Sequence, residues 1–169
     1  MKTPPPPVRN ILVIRSATRI LNATLESLKR EFPEARISVL AQEPAQDSTA
    51  RIPAVDEVIS TGNSRRMGIF NLGSASLTAL RQRRFDLAVA LYNVDHGLGY
   101  ANIDRLAWAV RPRFIRGYNP KGKYVSLTGA SIWKKSLLEK TTLVWVALNG
   151  LATSVLFLMI TLGLLAEWA

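Results

Sequence analysis

The sequence predicts an α/β domain, a doubly wound parallel sheet of about five strands, followed by a single C-terminal transmembrane helix. Short aliphatic runs alternate along the chain with segments whose apolar residues recur at helical spacing. Such alternation is typical of parallel strands joined by right-handed crossovers. The second observation is a long C-terminal stretch, residues 141–166, that contains no charged residue.

The predicted strands are apolar runs of the kind that is covered on both faces in a parallel sheet. They are residues 11–15, 36–41, 56–60, 86–92 and 113–118. The predicted helices show the spacing of an amphipathic face. They are residues 20–32, which Pro33 ends, and residues 72–84 and 103–110. We expect the strand order 3-2-1-4-5.

The chain is predicted to have five parts, because the alternation of strands and helices gives way to a proline-rich segment at the N-terminal end and to basic and then apolar segments at the C-terminal end. They are a proline-rich polyproline II arm (1–8), the α/β domain (9–119), a basic juxtamembrane connector (120–140), the transmembrane helix (141–166) and a short far-side tail (167–169). Within the connector two interpretations stay open. Ile132, Trp133, Leu137 and Leu138 could line one side of a helix, or the segment could be solvated.

The apolar stretch is long enough to cross a hydrocarbon core of about 30 Å. Trp133, Trp145 and Trp168 are expected at the membrane interfaces, and Gly150, Ser154 and Gly163 are expected to permit close helix packing. Lysines precede the stretch, Glu167 follows it, and we expect no signal peptide at the N-terminus. The prediction is therefore a single-pass protein of the cytoplasmic (inner) membrane with its N-terminal domain in the cytoplasm.

The charge balance predicts an anionic environment. The formal net charge is +10, and the apolar stretch carries none of it. The basic residues expected to face membrane lipids or other subunits of a membrane complex are Arg113, Arg116, Lys121, Lys123, Lys134, Lys135 and Lys140. Phe114, Tyr118 and Tyr124 are interleaved with some of them, as in a nucleic-acid surface, but lipid or protein would neutralise the run equally well. We do not expect nucleic acid as a partner.

Several kinds of chemistry are excluded by composition. The chain has no cysteine and a single histidine, His96, so a cysteine nucleophile and a cysteine or histidine metal cluster are excluded. We expect no metal and no cofactor. Asp95 and His96 could form an acid/base pair, although neighbours on a glycine-rich loop usually serve a turn. Asp56 and Glu57 are expected to open a strand or to oppose the basic field.

The loop after the first strand is where a doubly wound fold would bind a ligand. It reads Arg15, Ser16, Ala17, Thr18, Arg19, and it has no glycine to let a dinucleotide phosphate approach the backbone. We expect Ser16 or Thr18 to cap the following helix. The alternative is an anion site formed by Arg15, Ser16, Thr18 and Arg19.

Several segments together resemble a known family. In order they are ILVIR, LKREFPEARISVLAQ, IPAVDEVI, RRFDLAVALY and RLAWAVRPRFIRGYN, between about residues 9 and 119. They resemble the N-terminal, Rossmann-like half of ADP-heptose:lipopolysaccharide heptosyltransferases, which are GT-B glycosyltransferases. The resemblance implies the same half-domain fold here.

Two departures from this family bear on activity. Its members carry a longer loop of the form SSLGD, whose aspartate is the expected general base, and this chain has SATR instead. The nearest carboxylate along the chain is Glu26, which we expect to face solvent. The second, donor-binding domain of the family is expected to be missing, with the transmembrane helix in its place.

Two function classes remain. The sequence favours a non-catalytic, membrane-anchored accessory subunit that packs a basic cytoplasmic domain against a larger complex, for instance a photosynthetic or respiratory one. The alternative is a glycosyltransferase, or a component of one, that acts on a lipid-linked or lipopolysaccharide acceptor. Catalytic residues are not assigned, and the degenerate loop favours a protein that is not an enzyme by itself.

Overall fold

A six-stranded sheet organises the described part of the chain, which is residues 7–62 and 67–168 of a computed structural model. The strands are β1 (Asn10–Ile14), β2 (Arg36–Ala41), β3 (Glu57–Ser60), β4 (Leu87–Leu91), β5 (Phe114–Tyr118) and β6 (Tyr124–Ser126). Their order is β3-β2-β1-β4-β5-β6, with the first five parallel and β6 antiparallel to β5. The predicted order of five strands is confirmed, and β6 lies in the segment predicted as connector.

Helices cover both faces of this sheet. They are α1 (Leu21–Glu31), α2 (Gln46–Ala50), α3 (Ile69–Leu72), α4 (Ser74–Gln82), α5 (Ala101–Ala109) and α6 (Gly129–Trp168). The α/β fold class is confirmed. The predicted helix over residues 72–84 is interrupted at Gly73, whose φ of 75° lies in the left-handed region that suits glycine. Most of the proline-rich arm lies outside the described residues.

Alternation along β1 divides the core into two layers. Ile11 and Val13 point to one face, where they pack with Leu21, Leu25 and Leu28 of α1. Leu12 and Ile14 point to the other, where they join residues of α4, α5 and α6. Side chains of a strand alternate between faces, so an unbroken apolar run is what a doubly covered strand requires.

Helix α6 belongs to the domain at one end and is exposed at the other. Ile132 and Ser136 are only 1% and 6% exposed, whereas Trp133 and Leu137 on another side are exposed. From Gly129 onward, the segment predicted as a juxtamembrane connector is helical and continuous with the apolar stretch. This helix is long and apolar enough to cross a membrane, with a mean hydropathy of 2.1 over its most apolar 18 residues.

The direction of α6 follows from its contacts with α5. Trp108, near the end of α5, packs against Gly129 at the start of α6. Glu139 of α6 accepts a hydrogen bond of 2.8 Å from the backbone N–H of Gly99, just before α5 begins. The two helices are therefore antiparallel, and α6 leaves the domain at the edge of the sheet where the parallel strands end.

Asp56 and Glu57 hold the outer strands together. Asp56 Oδ2 accepts a hydrogen bond of 2.7 Å from the N–H of Ile37 and contacts Lys29 Nζ at 3.0 Å. Glu57 forms ion pairs with Arg83 at 2.5 Å and with Arg36 at 3.3 Å. Both expectations for these carboxylates fit: they lie at the start of β3 and they oppose basic side chains.

Glu57 is expected to make the stability of the domain depend on pH. The hydrogen bond from Arg83 lowers the pKa of Glu57 below its ordinary value, burial opposes this, and the charges of Arg83 and Arg36 add to the lowering. Because the pKa is lowered on folding, the stabilisation is present above the unfolded pKa and is lost as the pH falls through the folded one. We expect the free energy of unfolding, from urea denaturation, to decline between about pH 6 and pH 3 less steeply in Glu57→Gln than in the unchanged chain. Identical slopes would contradict the role of this carboxylate.

Candidate functional site

A crevice opens where β1, β2 and β4 end. Its volume is about 250 Å³. The lining residues come from the loops after β1, β2, β3 and β4 and from α5, and they are Arg15, Ser16, Gln42, Met67, Gly99, Tyr100, Asn102 and Ile103. The chain reverses its strand order between β1 and β4, and this switch point is where doubly wound folds bind ligands.

A larger groove lies at the opposite edge of the sheet. It has a volume of about 640 Å³ and includes Phe32, Phe114, Leu127 and Arg116 in its lining. Arg116 is engaged by Glu31 through two hydrogen bonds of 2.9 and 3.0 Å, so its charge is already matched. The smaller crevice is the better candidate, because it lies at the ligand-binding edge of this class of fold.

Arg15 is the charged residue of the crevice. Its Nε is shielded from solvent and has no hydrogen-bond partner among the described residues. A guanidinium stays protonated at any physiological pH, and a shielded donor without an acceptor is unfavourable. Arg15 therefore contributes an uncompensated cation to the described lining of the crevice.

The other members of the predicted anion loop have different roles. Ser16 lines the crevice, but its hydroxyl donates a hydrogen bond of 2.6 Å to the carbonyl of Leu91 and so joins the ends of β1 and β4. Thr18 and Arg19 are exposed and are not among the lining residues. The predicted cap by Ser16 or Thr18 is wrong, because Ile20 occupies the N-cap position of α1 without a side-chain cap bond.

One wall of the crevice is attached to α6. The contact is the hydrogen bond from Gly99 N–H to Glu139, and Tyr100 Oη accepts a further hydrogen bond of 3.3 Å from Asn93 N–H within the same loop. Glu139 comes just before Thr141, where the uncharged stretch begins. The crevice therefore lies beside the end of the domain from which the apolar helix emerges.

A buried polar cluster fixes α6 to the domain. Asp104 is fully buried, and its two oxygens contact Tyr92 Oη at 2.5 Å and Lys135 Nζ at 2.5 Å. The ammonium also lies 4.7 Å from the centre of the Tyr92 ring. Burial, followed by the nearby Asp104 carboxylate, raises the pKa of Tyr92 well above its ordinary value, so its hydroxyl remains a donor. Lys135, predicted to face lipid or a partner, points into the domain instead.

The remaining predicted basic residues divide into paired and exposed groups. Arg116 pairs with Glu31 and stacks 4.1 Å from the Tyr124 ring, and Lys121 pairs with Asp95 at 2.5 Å. The exposed ones are Arg113, Lys123, Lys134 and Lys140. Tyr118, in the run compared with a nucleic-acid surface, is buried. The structure therefore does not arrange that run as one exposed stacking face.

The other predicted site residues are placed as follows. Asp95 is engaged by Lys121, which leaves the predicted Asp95 and His96 pair without a free carboxylate base. Glu26 is exposed on α1, as expected. Trp133 and Trp145 are exposed on α6, and Ser154 Oγ donates to the carbonyl of Gly150 at 2.9 Å. Gly150 and Gly163 lie on the exposed part of α6, and the Trp168 side chain lies outside the described residues.

The described lining of the crevice combines one cationic side chain, Arg15, with neutral polar and apolar groups. None of the lining residues in the described part of the chain is Asp, Glu, His or Cys. Within residues 7–62 and 67–168 no group of three or more such side chains could hold a metal ion. General acid/base catalysis needs a titratable group within reach of the reacting proton. The lining therefore supports binding and positioning.

The fold is a Rossmann-like α/β sheet joined to one helix that could span a membrane. Among solved structures it is similar to ADP-heptose lps heptosyltransferase II from E. coli, with a TM-score of 0.47 and 23% identity over 67% of this chain and 31% of that one. It is also similar to a glycosyl transferase of family 9 from Veillonella parvula, with a TM-score of 0.48 and 19% identity over 67% of this chain and 32% of that one.

These similarities concern the fold alone. This chain spans about a third of the length of either structure. No protein-family model matches the chain, and no curated protein matches it.

Proposed function

We propose that this chain is a membrane-anchored component of a glycosyltransferase, and that it holds a lipid-linked or lipopolysaccharide acceptor at the membrane surface. The observation that carries this proposal is the hydrogen bond between Gly99 and Glu139, which joins the wall of the crevice to α6 just before the apolar stretch. A ligand in the crevice would then be held close to the lipid headgroups.

The sequence resemblance over residues 9–119 supplies the reaction class, and the orientation of α6 supports the kind of acceptor. Because α6 leaves the domain at the carboxyl edge of the sheet, that edge faces the membrane in this proposal. The sugar or phosphate of a lipid-linked molecule lies at the same level. A soluble acceptor would gain nothing from this arrangement.

The chain is proposed as a component because the described lining of its crevice has no carboxylate or imidazole that could act as a general base. The loop after β1 has Ser16, Ala17 and Thr18 where the family has its expected aspartate, and the described lining contains no carboxylate. The general base and the donor-sugar site would therefore be supplied by residues outside the described part of this chain or by another protein. We expect no sugar transfer from ADP- or UDP-sugars by this chain alone.

A second candidate function is supported by the same lack of a base. The chain would be a non-catalytic accessory subunit, inserted with its domain on the cytoplasmic side and packed against a larger membrane complex such as a photosynthetic or respiratory one. The described side chains of α6 beyond Lys140 are exposed, so lipid or neighbouring helices must cover them. This candidate predicts a stable partner and no acceptor binding.

Acceptor binding separates the two candidates. The full chain, placed in phosphatidylcholine nanodiscs, is titrated with heptose-deficient lipopolysaccharide and examined by native mass spectrometry. We expect retention of the acceptor, reduced about tenfold by Asn102→Leu, which removes a polar group from the crevice. Asn22→Leu on the exposed face of α1 is the matched control and should change nothing. Absence of retention, together with co-purification in a stable membrane complex, would favour the accessory subunit.

A further inference from the structure

We propose that the crevice is a phosphate-binding site in which Arg15 is the charged contact, and that the phosphate is carried by a membrane-embedded lipid. This inference rests on the proposed function and names the chemical group that the acceptor presents. It assigns a recognition role to Arg15 that the reaction class does not specify.

The state of the Arg15 side chain is the first support. Its Nε is shielded from water and unpartnered among the described residues, although the side chain borders an open crevice. A guanidinium presents its donors in a planar fork that matches the oxygens of phosphate or carboxylate. A phosphate in the crevice could accept from the terminal nitrogens of this fork, and the shielded Nε would become available to it only if the side chain rotates.

The charge of the surroundings is the second support. Arg15 is the charged side chain among the described lining residues. Glu139 accepts from Gly99 N–H, and Asp104 is held by Tyr92 and Lys135, so these two carboxylates are engaged elsewhere. The described lining contains no carboxylate to match the positive charge of Arg15. An anion gains from that charge, whereas a neutral sugar would not use it and a cation would be repelled.

The size and position of the crevice limit the ligand. At about 250 Å³ it is smaller than the pockets that enclose drug-sized ligands, which begin near 300 Å³. It suits a phosphate with a small attached group. Its attachment to Glu139 places it beside the apolar stretch of α6. A phosphate on a lipid headgroup or on a lipid-linked sugar can reach it from the bilayer.

The test compares two sources of phosphate on the full chain in nanodiscs. One arm uses phosphatidylcholine nanodiscs with about 10% phosphatidic acid, and the other uses pure phosphatidylcholine nanodiscs with inorganic phosphate in solution. The matching lipid control replaces phosphatidic acid with diacylglycerol, which carries no phosphate. The phosphates that remain are those of the zwitterionic phosphatidylcholine headgroups. The readouts are the thermal midpoint of the domain and the NMR resonance of the Arg15 Nε–H.

We expect phosphatidic acid to raise the midpoint and to shift the Arg15 Nε–H resonance, with no such change for diacylglycerol. Arg15→Gln should weaken this binding about tenfold or more, because it removes a charge-assisted hydrogen bond. Arg19→Gln makes the same charge change on an exposed residue of the same loop and should leave binding unchanged. Equal losses in the two variants, or no dependence on phosphate, would overturn the proposal.

The thermal midpoint measured without ligand distinguishes a binding role of Arg15 from a structural role. If Arg15 had only a structural role, Arg15→Gln would lower the thermal midpoint in pure phosphatidylcholine. A ligand-binding role predicts an unchanged or higher midpoint there, since an unpartnered shielded donor is removed. An Arg15-dependent response to inorganic phosphate and none to phosphatidic acid would support the phosphate site and overturn its assignment to a lipid.

Failure of this inference is distinct from failure of the proposed function. Retention of heptose-deficient lipopolysaccharide by Arg15→Gln at full affinity would overturn the role of Arg15 and leave acceptor binding standing. Arg15-dependent binding of phosphatidic acid by a chain that does not retain lipopolysaccharide would support the phosphate site and contradict the proposed acceptor.

Discussion

Asp104→Ala is expected to lower the free energy of unfolding of this chain by about 3–5 kcal/mol, the range for breaking a buried ion pair. Asp104 has no exposed surface, and the side chain of Lys135 is 17% exposed. Without the carboxylate, the Lys135 ammonium and the Tyr92 hydroxyl both lose their acceptor in the interior. The contact between α6 and α5 should loosen as a result.

The measurement is urea denaturation of the full chain in mild detergent, followed by circular dichroism. The matched control is Asp95→Ala, which breaks an ion pair of the same residue types and the same 2.5 Å length at the surface. We expect no measurable change there, because solvent and salt screen an exposed pair. A double variant, Asp104→Leu with Lys135→Met, should recover part of the loss, since it leaves no unpaired charge. Equal effects of Asp104→Ala and Asp95→Ala would show that the buried pair does not stabilise the domain.

Truncation of α6 is expected to have opposite outcomes at two nearby positions. A chain that ends at Lys140 should be soluble and folded, because it keeps the part of α6 that packs on the domain. A chain that ends at Thr128 should fail to fold, because it loses Ile132 from the core and Lys135 from Asp104. Loss of a fully buried aliphatic side chain alone costs about 2–5 kcal/mol, a large fraction of the stability of a small domain.

Fractionation and proteolysis check this pair of truncations. We expect the chain ending at Lys140 to appear in the soluble fraction, to resist limited proteolysis and to lose any membrane partner that the full chain retains. We expect the chain ending at Thr128 to be degraded or to aggregate. Persistence of the longer truncation in carbonate-washed membranes would show that residues 141–169 are not the anchor. A stable, protease-resistant chain ending at Thr128 would show that the start of α6 is dispensable.

Much of the fold could be predicted because its signals are local. The aliphatic runs at Ile11 and Leu87 could be predicted as strands because they are short, apolar and rich in residues that suit a doubly covered strand. The spacing of Leu21, Leu25 and Leu28 predicts α1 because these positions share one helix face. β6 was missed, since three exposed residues carry no burial pattern, and its pairing depends on β5 across the turn.

The candidate site was predictable only in outline. The sequence places Arg15 at the end of the first strand, and the rule for doubly wound folds marks that loop as a ligand-binding position. The sequence could not predict that Arg15 lines the crevice and Arg19 does not, because this depends on where the fold places each side chain. Asn102 and Gly99 were missed as lining residues. A signal existed in their position after the fourth strand, at the same edge of the sheet.

The sequence by itself determined the strand order, the two-layered core and a helix apolar enough to span a membrane. The helix follows from the length and composition of one segment, whereas the strand order and the two-layered core follow from the alternation of strands and helices along the chain. Tertiary structure alone decided that Lys135 turns inward to Asp104, 31 residues away, and that Ser16 bonds to Leu91, 75 residues away. It also decided that the crevice lies beside the emerging end of α6. The physical reason is that an ion pair or a hydrogen bond depends on which distant groups the folded chain brings within about 3 Å, and charge or spacing along one segment does not contain that information.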